Sequence, residues 1–284
     1  MKKMLMTAGT LASLISGHAL ASDFQSQFRA TVGGATQDVM ISSTSDITVD
    51  TLTTGISARV HFNKISTEGH PLEEASFLEH SSYLGFAYSH DQVDADGPEH
   101  HEEDYTFDLR MVTQGGVIVG AEYNTFAVGS EDHKLFTAAF EGGYYVNDFT
   151  AVTVQILDGE DNQQKAEQIE ELRGYALTGK SVIDIGSAMA IGIELALAKI
   201  DWDERDNQDI VSFEGDFFIT PRIHVGLGYT AALRDDDDID TVTLEAQAFV
   251  MGNLAIGASV SSTSYDDEDL DDEAAVSAWV EFRI

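Results

Sequence analysis

The chain contains no cysteine, only three prolines, and only 15 lysines and arginines against 50 aspartates and glutamates. Without cysteine, neither a disulfide framework nor a thiolate metal site can form. The shortage of basic residues argues against nucleic acid as a partner, because its phosphates are bound mainly by lysine and arginine. A long apolar run is also missing. The most apolar internal stretch, residues 188–200, is interrupted by Gly192 and Glu194, whereas a membrane-spanning helix needs about 20 apolar residues.

The first 21 residues have the pattern of a secretory signal. Lys2 and Lys3 precede an apolar stretch around Leu14, and Ala19-Leu20-Ala21 offers a small-x-small cleavage site. A membrane anchor would need a longer apolar core. We therefore predict a signal peptide over residues 1–21 and a single mature domain over residues 22–284. The mature domain has 13 basic and 50 acidic residues, a formal charge of −37.

What the sequence does contain is a regular rhythm of apolar and polar side chains from about residue 79 to the end. Alternating segments are separated in turn by tight Gly/Asn turns and by longer acidic loops. The turns include residues 114–116, 147–148 and 251–253, and the loops include residues 201–209, 234–240 and 266–273. A strand that alternates in this way meets a different solvent on each face. Short turns at one end and longer loops at the other are typical of an outer-membrane β-barrel.

Counting these segments predicts an all-β, antiparallel transmembrane barrel of about 14 strands, or 12 to 16 if one hairpin is misread. The first eight are expected at residues 24–36, 49–65, 79–91, around 105–112, 117–128, 134–146, 149–158 and within 168–183. Six more follow to the C-terminus. An even number of strands places both termini on the same side of the membrane. Aromatic residues near the strand ends fit the girdles of such barrels.

The last strand alternates up to the final residue. Val276, Ala278, Val280, Phe282 and Ile284 form its apolar face. We expect this strand to close the sheet against the first one. It resembles the recognition strand by which outer-membrane barrels reach their assembly machinery, which implies that machinery as a partner. It departs from the usual form by ending in isoleucine, with the aromatic residue two positions earlier.

A second resemblance lies in the longest turn-side connection. Residues 69–78 (GHPLEEASFL) and 81–88 (SSYLGFAY) resemble a segment found in a porin family of gammaproteobacteria. The resemblance implies a passive outer-membrane channel and no catalytic residue. Pro71 opens a Leu-Glu-Glu-Ala run and can start one helical turn, which we expect to cap the periplasmic rim.

Three other patterns point weakly to chemistry. Residues 92–103 resemble a calcium loop, but the first aspartate is missing and Pro98 occupies the seventh position. His90 and residues 100–102 have metal-capable side chains without a recognised ligand spacing. The aspartates at 235–238 and 266–272 could hold divalent ions loosely, although a solvated loop explains them better. We predict no dedicated metal site, no cofactor and no catalytic residue, and therefore not an enzyme.

If the apolar face meets lipid, the opposite face lines the bore, and fourteen strands leave room for water. Acids outnumber arginines on that face, and fixed negative charge attracts cations and repels anions. The predicted pore-lining residues are Arg59, His61, Asp108, Arg110, Glu122, Glu141, Glu194, Glu214, Asp216, His224, Glu245, Glu281 and Arg283.

The sequence therefore predicts an outer-membrane porin for passive diffusion of ions and small hydrophilic solutes, mildly selective for cations. Its expected partners are outer-membrane lipid, lipopolysaccharide and the permeating solutes. Both a monomer and a homo-oligomer are compatible with the pattern. Two alternatives stay open: a non-conducting structural or adhesive barrel, and an outer-membrane hydrolase. The hydrolase would need a histidine and a nucleophile or aspartate within hydrogen-bond reach at the outer rim.

Overall fold

The chain folds into one closed barrel of fourteen antiparallel strands, each hydrogen-bonded to its neighbours in sequence order. The computed structural model describes residues 23–42, 45–94, 100–128, 133–163, 168–186, 189–203, 207–233, 238–266 and 272–284. The predicted signal peptide and the centres of several acidic loops lie outside these ranges. The predicted all-β barrel with fourteen strands is confirmed.

The strands are 11 to 21 residues long. Their bounds are β1 Phe24–Ser42, β2 Ser45–Ile65, β3 Tyr83–Asp94, β4 His100–Val112, β5 Val117–Val128, β6 His133–Asn147, β7 Thr150–Gln163, β8 Gln168–Gly186, β9 Met189–Trp202, β10 Gln208–Thr220, β11 Ile223–Leu233, β12 Ile239–Met251, β13 Leu254–Tyr265 and β14 Glu273–Arg283. One short helix, α1, covers Ala75–Leu78. In the described part of the chain, no helix has the length and apolar character needed to cross a bilayer.

The predicted apolar face points away from the barrel interior on every side. Large apolar side chains there are 36 to 66% exposed, as on Leu195 and Leu197 of β9 and Val242 and Leu244 of β12. A soluble monomer rarely exposes a contiguous apolar patch beyond a few hundred Å². An apolar surface that encircles the molecule therefore requires an apolar solvent, which a lipid bilayer provides.

Strand β14 closes the ring against β1, as its alternation predicted. Val280 is opposite Ala30, and Phe282 is opposite Phe28. At the end of the chain, the Ile284 amide donates to the Ser26 carbonyl at 2.9 Å. The last residue is thus part of the ladder, and the sheet has no free edge.

The two kinds of break appear at opposite ends of the barrel. Tight turns at residues 113–116, 148–149, 221–222 and 252–253 join strands at one end, called here the turn end. At the loop end the strands are longer than the sequence indicated. The described residues around Asp94 and Asp161 are paired β-structure, because β3 runs to Asp94 and β7 runs to Gln163.

The described residues of the calcium-like segment, 92–94 and 100–103, belong to β3 and β4, and residues 95–99 lie outside the described part. Gln92 pairs with His101 in the register of these two strands. His90 and His101 stack with ring centroids 5.3 Å apart. The expected ligand positions 94 and 103 are thus in paired strands, and the centre of the calcium-like loop lies outside the described residues.

The exception among the turn-end breaks is the β2–β3 connection, residues 66–82. It contains α1, so the predicted helical turn is confirmed, although the helix begins at Ala75 rather than at Pro71. Phe77 is buried against Tyr145, Ile118 and Phe218, which belong to β6, β5 and β10. The connection therefore enters the barrel; the prediction that it only caps the rim is wrong.

Candidate functional site

Ion pairs that span three strands identify the inner face of the barrel. Arg59 of β2 lies 3.6 Å from Asp108 of β4, and Arg110 of β4 lies 3.5 Å from Glu141 of β6. In each case one strand separates the partners, so their backbones are roughly 10 Å apart. Side chains from such strands converge only on the concave side of a barrel. These charged residues therefore face the interior, opposite the apolar belt.

A glycine on the middle strand lets each of these polar pairs meet. The register places Arg59, Gly85 and Asp108 in one row, and Arg110, Gly120 and Glu141 in another. A Cβ atom on Gly120 would lie 2.8 Å from Glu141 Oε2, which is too close. The same arrangement recurs in two rows: Asp216–Gly226–Glu245 and Gln247–Gly257–Trp279. The glycines thus allow inward side chains to cross above the middle strand.

The β2–β3 connection crosses the interior at the turn end, because it contacts strands all around the ring. The Leu72 amide donates to the Pro221 carbonyl at 2.7 Å, next to β10 and β11. On another side of the ring, the Tyr145 hydroxyl of β6 donates to the Phe77 carbonyl at 3.0 Å. Further contacts come from β8 and β14, through Lys180 and Arg283. The connection is therefore held as a plug at this end.

Glu73 is the most heavily bonded residue of this plug. Its carboxylate accepts hydrogen bonds from Arg29 at 3.2 Å, from Arg283 at 3.1 Å and from Gln247 at 2.5 Å. Both arginines also bind Glu281, at 2.7 Å each. Charge-assisted hydrogen bonds of this kind are stronger than neutral ones. The network fixes the connection against β1, β12 and β14.

Glu74 anchors the opposite side of the same turn. Its Oε1 lies 3.0 Å from Lys180 Nζ of β8, and Lys180 also lies 3.6 Å from Glu194 of β9. Glu74 lies outside the strands. Burial raises its pKa above the ordinary value, and the charge of Lys180 opposes that rise. The aromatic ring of Phe77 lies 5.4 Å from the same ammonium group.

Two adjoining cavities remain on the β3–β9 side of the interior. One of about 150 Å³ is lined by residues that include Tyr83, Asp108 and Glu122. A second, of about 190 Å³, lies between Phe77 and the wall beside Lys180. They share the lining residues Arg110, Glu141 and Gln155. The connection is thus hydrogen-bonded to β1, β12 and β14, and charged, water-sized space lies on the β3–β9 side.

The structure divides the predicted pore-lining residues into three groups. The first lines or adjoins the cavities: Arg59, Asp108, Arg110, Glu122, Glu141, Glu194 and Glu214. The second forms a cluster on β10, β11 and β12: Asp216, His224 and Glu245. The third is packed against neighbouring side chains and the connection: His61, Glu281 and Arg283.

For this third group the sequence-based prediction needs correction. His61 and Glu281 are 0% exposed and Arg283 is 2% exposed, so they do not face open water. His61 forms a 2.6 Å hydrogen bond with Ser81, and Arg283 donates to the Leu72 carbonyl at 2.5 Å. The apolar–polar alternation placed these residues on the face opposite the apolar belt. It could not show that the β2–β3 connection covers them.

Sequence reasoning also missed several residues of the site. Glu73 and Glu74 were expected at the rim, and Lys180 lies in the eighth strand, for which the sequence gives no clear alternation of faces. Arg29 could have been found, because it alternates with the outward residues Phe28 and Ala30 in β1. Only the three-dimensional crossing of the connection brings these groups together.

Comparisons with known proteins support the fold. No family model matches the chain, and no curated protein matches its sequence. The structure is similar to outer membrane protein Omp33 of Acinetobacter baumannii, with 20% identity and a TM-score of 0.59, over 93% of this chain and 99% of that one. It is also similar to the deltaS2S3 mutant of TodX, a monoaromatic hydrocarbon channel, with 7% identity and a TM-score of 0.57, over 91% and 90% of the two chains. The chain thus has the fold of outer-membrane barrels, and membership of the gammaproteobacterial porin family stays a prediction.

Proposed function

We propose that this protein is an outer-membrane channel through which ions and small hydrophilic solutes diffuse passively, with a mild preference for cations. The observation that carries the proposal is the pair of adjoining cavities lined by charged side chains beside the plug. Eight strands can be filled by side chains, whereas a wider barrel leaves more room. Charged walls around that space favour water and ions.

The preference for cations follows from the charges around these cavities. Asp108 and Glu141 are matched by Arg59 and Arg110, while Glu122 faces Asp108 in the strand register. On β9 and β10, Glu194 is opposite Glu214, with Lys180 as the nearby cation. Carboxylates thus exceed basic groups along the path, and such a surplus raises the local concentration of cations.

The apolar belt supports a location in an outer membrane after removal of the signal peptide. Lipid and lipopolysaccharide would then contact the belt and the acidic loops. The alternating strand β14, with its C-terminal ladder to β1, supports recognition by the barrel assembly machinery. These assignments belong to the same proposal.

Reversal potentials of the refolded protein in planar bilayers, measured across a salt gradient, test this function. We expect the sign of the reversal potential to indicate a preference for cations. Its magnitude should be smaller in the Glu122→Gln variant and larger in the Arg110→Gln variant. Conductance with anion preference would refute the selectivity, and absence of any conductance would refute the channel.

One observation favours a second candidate, a closed structural barrel: the connection is anchored on opposite sides of the ring. Recordings from a variant with a released plug separate the two functions. A channel conducts in the wild-type form and conducts more when released, whereas a structural barrel conducts only after release. For the hydrolase, the hydrogen-bonded histidines His61, His70, His80 and His224 lie at the turn end, whereas the outer rim that this hypothesis requires carries the stacked pair His90 and His101.

A further inference from the structure

Three metal-capable side chains meet on the inner face of the barrel near the turn end. They are Asp216 of β10, His224 of β11 and Glu245 of β12, and each offers a donor atom within 4.8 Å of the other two. His224 Nε2 and Glu245 Oε1 are already 3.2 Å apart. Gly226 lies between the two acids in the strand register, so no side chain separates them.

Asp216 provides a second and independent observation. The residue is 8% exposed, and its Oδ1 atom is buried with no hydrogen-bond partner among the residues that the structure describes. This oxygen points over Gly226 toward Glu245: a Cβ on Gly226 would lie 2.6 Å from it and 3.2 Å from Glu245 Oε1. Burying a carboxylate oxygen without a partner is costly. A cation between the two acids would supply that partner.

We propose that Asp216, His224 and Glu245 form a binding site for a divalent first-row transition-metal ion, with zinc as the test ion. One imidazole nitrogen with two carboxylates suits such ions better than calcium or magnesium, which take oxygen ligands. Bonds of about 2.0–2.1 Å in a tetrahedral site place donor atoms roughly 3.3 Å apart. His224 Nε2 and Glu245 Oε1 are at this separation. Small side-chain rotations bring an Asp216 carboxylate oxygen to the same distance from them.

The charge of the proposed site and its access to the lumen also suit a divalent metal ion. The two carboxylates balance its double positive charge, and water completes the fourth position of a tetrahedral site. The Glu245 side chain is 33% exposed while His224 is 5% exposed, so the ion enters from the lumen past Glu245. The ring of His224 packs on Phe218 at 5.4 Å, which restricts its orientation.

Zinc titration of the refolded full-length mature chain in detergent tests the site, with isothermal calorimetry as the measurement. Excess magnesium in the buffer competes with any loose binding of zinc to the acidic loops. We expect saturable binding of one zinc ion per chain. Because each ligand contributes directly, Asp216→Asn and His224→Gln should each weaken binding about tenfold or more, at least as much as loss of an outer-shell partner does.

The matched control is His70→Gln. His70 and Glu79 also form a histidine–glutamate pair, at 3.1 Å, but on an exposed surface; zinc affinity should not change. The proposal is overturned if the wild type binds no zinc with defined stoichiometry, or if Asp216→Asn and His224→Gln bind it normally. Should both variants fail to fold, X-ray absorption of the zinc-loaded wild type decides: one imidazole among oxygen donors supports the site, and oxygen donors alone refute it. The result is independent of whether the barrel conducts.

Discussion

Lys180 of β8 and Glu74 of the β2–β3 connection form an ion pair, with 3.0 Å between Nζ and Oε1, where Glu74 is 4% exposed. Burial keeps the pKa of Glu74 above its ordinary value despite the nearby ammonium group. The charged groups around it are Lys180, Glu73 and Glu194. A glutamate that gains a proton more readily when the plug is docked makes docking dependent on pH.

The sign of this dependence follows from proton linkage. Because the pKa of docked Glu74 is raised, its contribution to docking is fully present below the ordinary pKa of glutamate and is lost as pH rises through the raised value. We expect channel conductance to be lowest in acid and to increase as pH rises above the ordinary pKa of glutamate. Glu74→Gln should flatten the profile, measured by single-channel recording at stepped pH.

Glu68→Gln is the control for this measurement. Glu68 lies in the same connection but is exposed, so its neutralisation should leave the pH profile unchanged. A Glu74→Gln channel with the wild-type profile would contradict the role of Glu74.

Neutralising Glu73 should release the other side of the plug. Glu73→Gln replaces two charge-assisted hydrogen bonds, from Arg29 and Arg283, by weaker ones. Hydrogen bonds to charged groups contribute about 1.5–3 kcal/mol each, so we expect a larger open-channel conductance and faster proteolysis within residues 66–82. Glu68→Gln again serves as the control. Unchanged conductance and proteolysis would show that Glu73 does not hold the plug.

The inward face can be mapped with single cysteines, because the natural chain has none. Glu122 and Tyr123 are neighbours on β5 and point to opposite faces; Tyr123 is 44% exposed on the apolar belt, and Glu122 lines a cavity. In lipid vesicles, a membrane-impermeant cationic thiol reagent should modify Glu122→Cys and spare Tyr123→Cys. Mass spectrometry measures the modification. The opposite pattern would reverse the assignment of the two faces.

Gly257 is the middle residue of a row in which Trp279 donates to Gln247 at 2.5 Å. A Cβ atom at this glycine would overlap the indole ring. Overpacking of this kind typically costs about 1–3 kcal/mol, so Gly257→Ala should lower the free energy of unfolding by that amount in denaturant titrations. In a Trp202→Phe background, Trp279 fluorescence should shift to the red as the ring leaves its site.

Gly179→Ala provides the comparison, because a Cβ there would have no neighbour within 4 Å. It should change stability and fluorescence little. Equal effects of the two substitutions would mean that overlap with the indole ring does not set the cost at Gly257.

The strands were predictable from the sequence wherever the two faces of a strand meet different solvents. Strand β5 agrees residue for residue with the alternation, over Val117–Val128. Strands β1 and β2 were predicted six and four residues too short at the loop end, because the missed ends, residues 37–42 (QDVMIS) and 45–48 (SDIT), do not alternate apolar and polar residues.

The site was only partly predictable. Alternation gives the face of a side chain, so it placed Arg110 and Glu141 inside correctly. The alternation cannot give the distances between side chains on different strands. It also led to the expectation that residues 66–82 lie at the rim. The contacts of Glu73 and Glu74 depend on strands more than 100 residues away, and the meeting of Asp216, His224 and Glu245 depends on the strand register.

The bonds of the plug also imply an order of events during folding. Arg283, the second-last residue, binds Leu72 across 211 positions of sequence, and Arg29 binds Glu281 across 252. Contacts at such separations form late, because a long loop must close before they contribute. The Arg283 anchor therefore needs β14, the last of the fourteen strands. While the barrel inserts into the membrane, the part of the β2–β3 connection that lies inside it would stay unbound. The bond from Arg283 to Glu73 would form only when the ring closes.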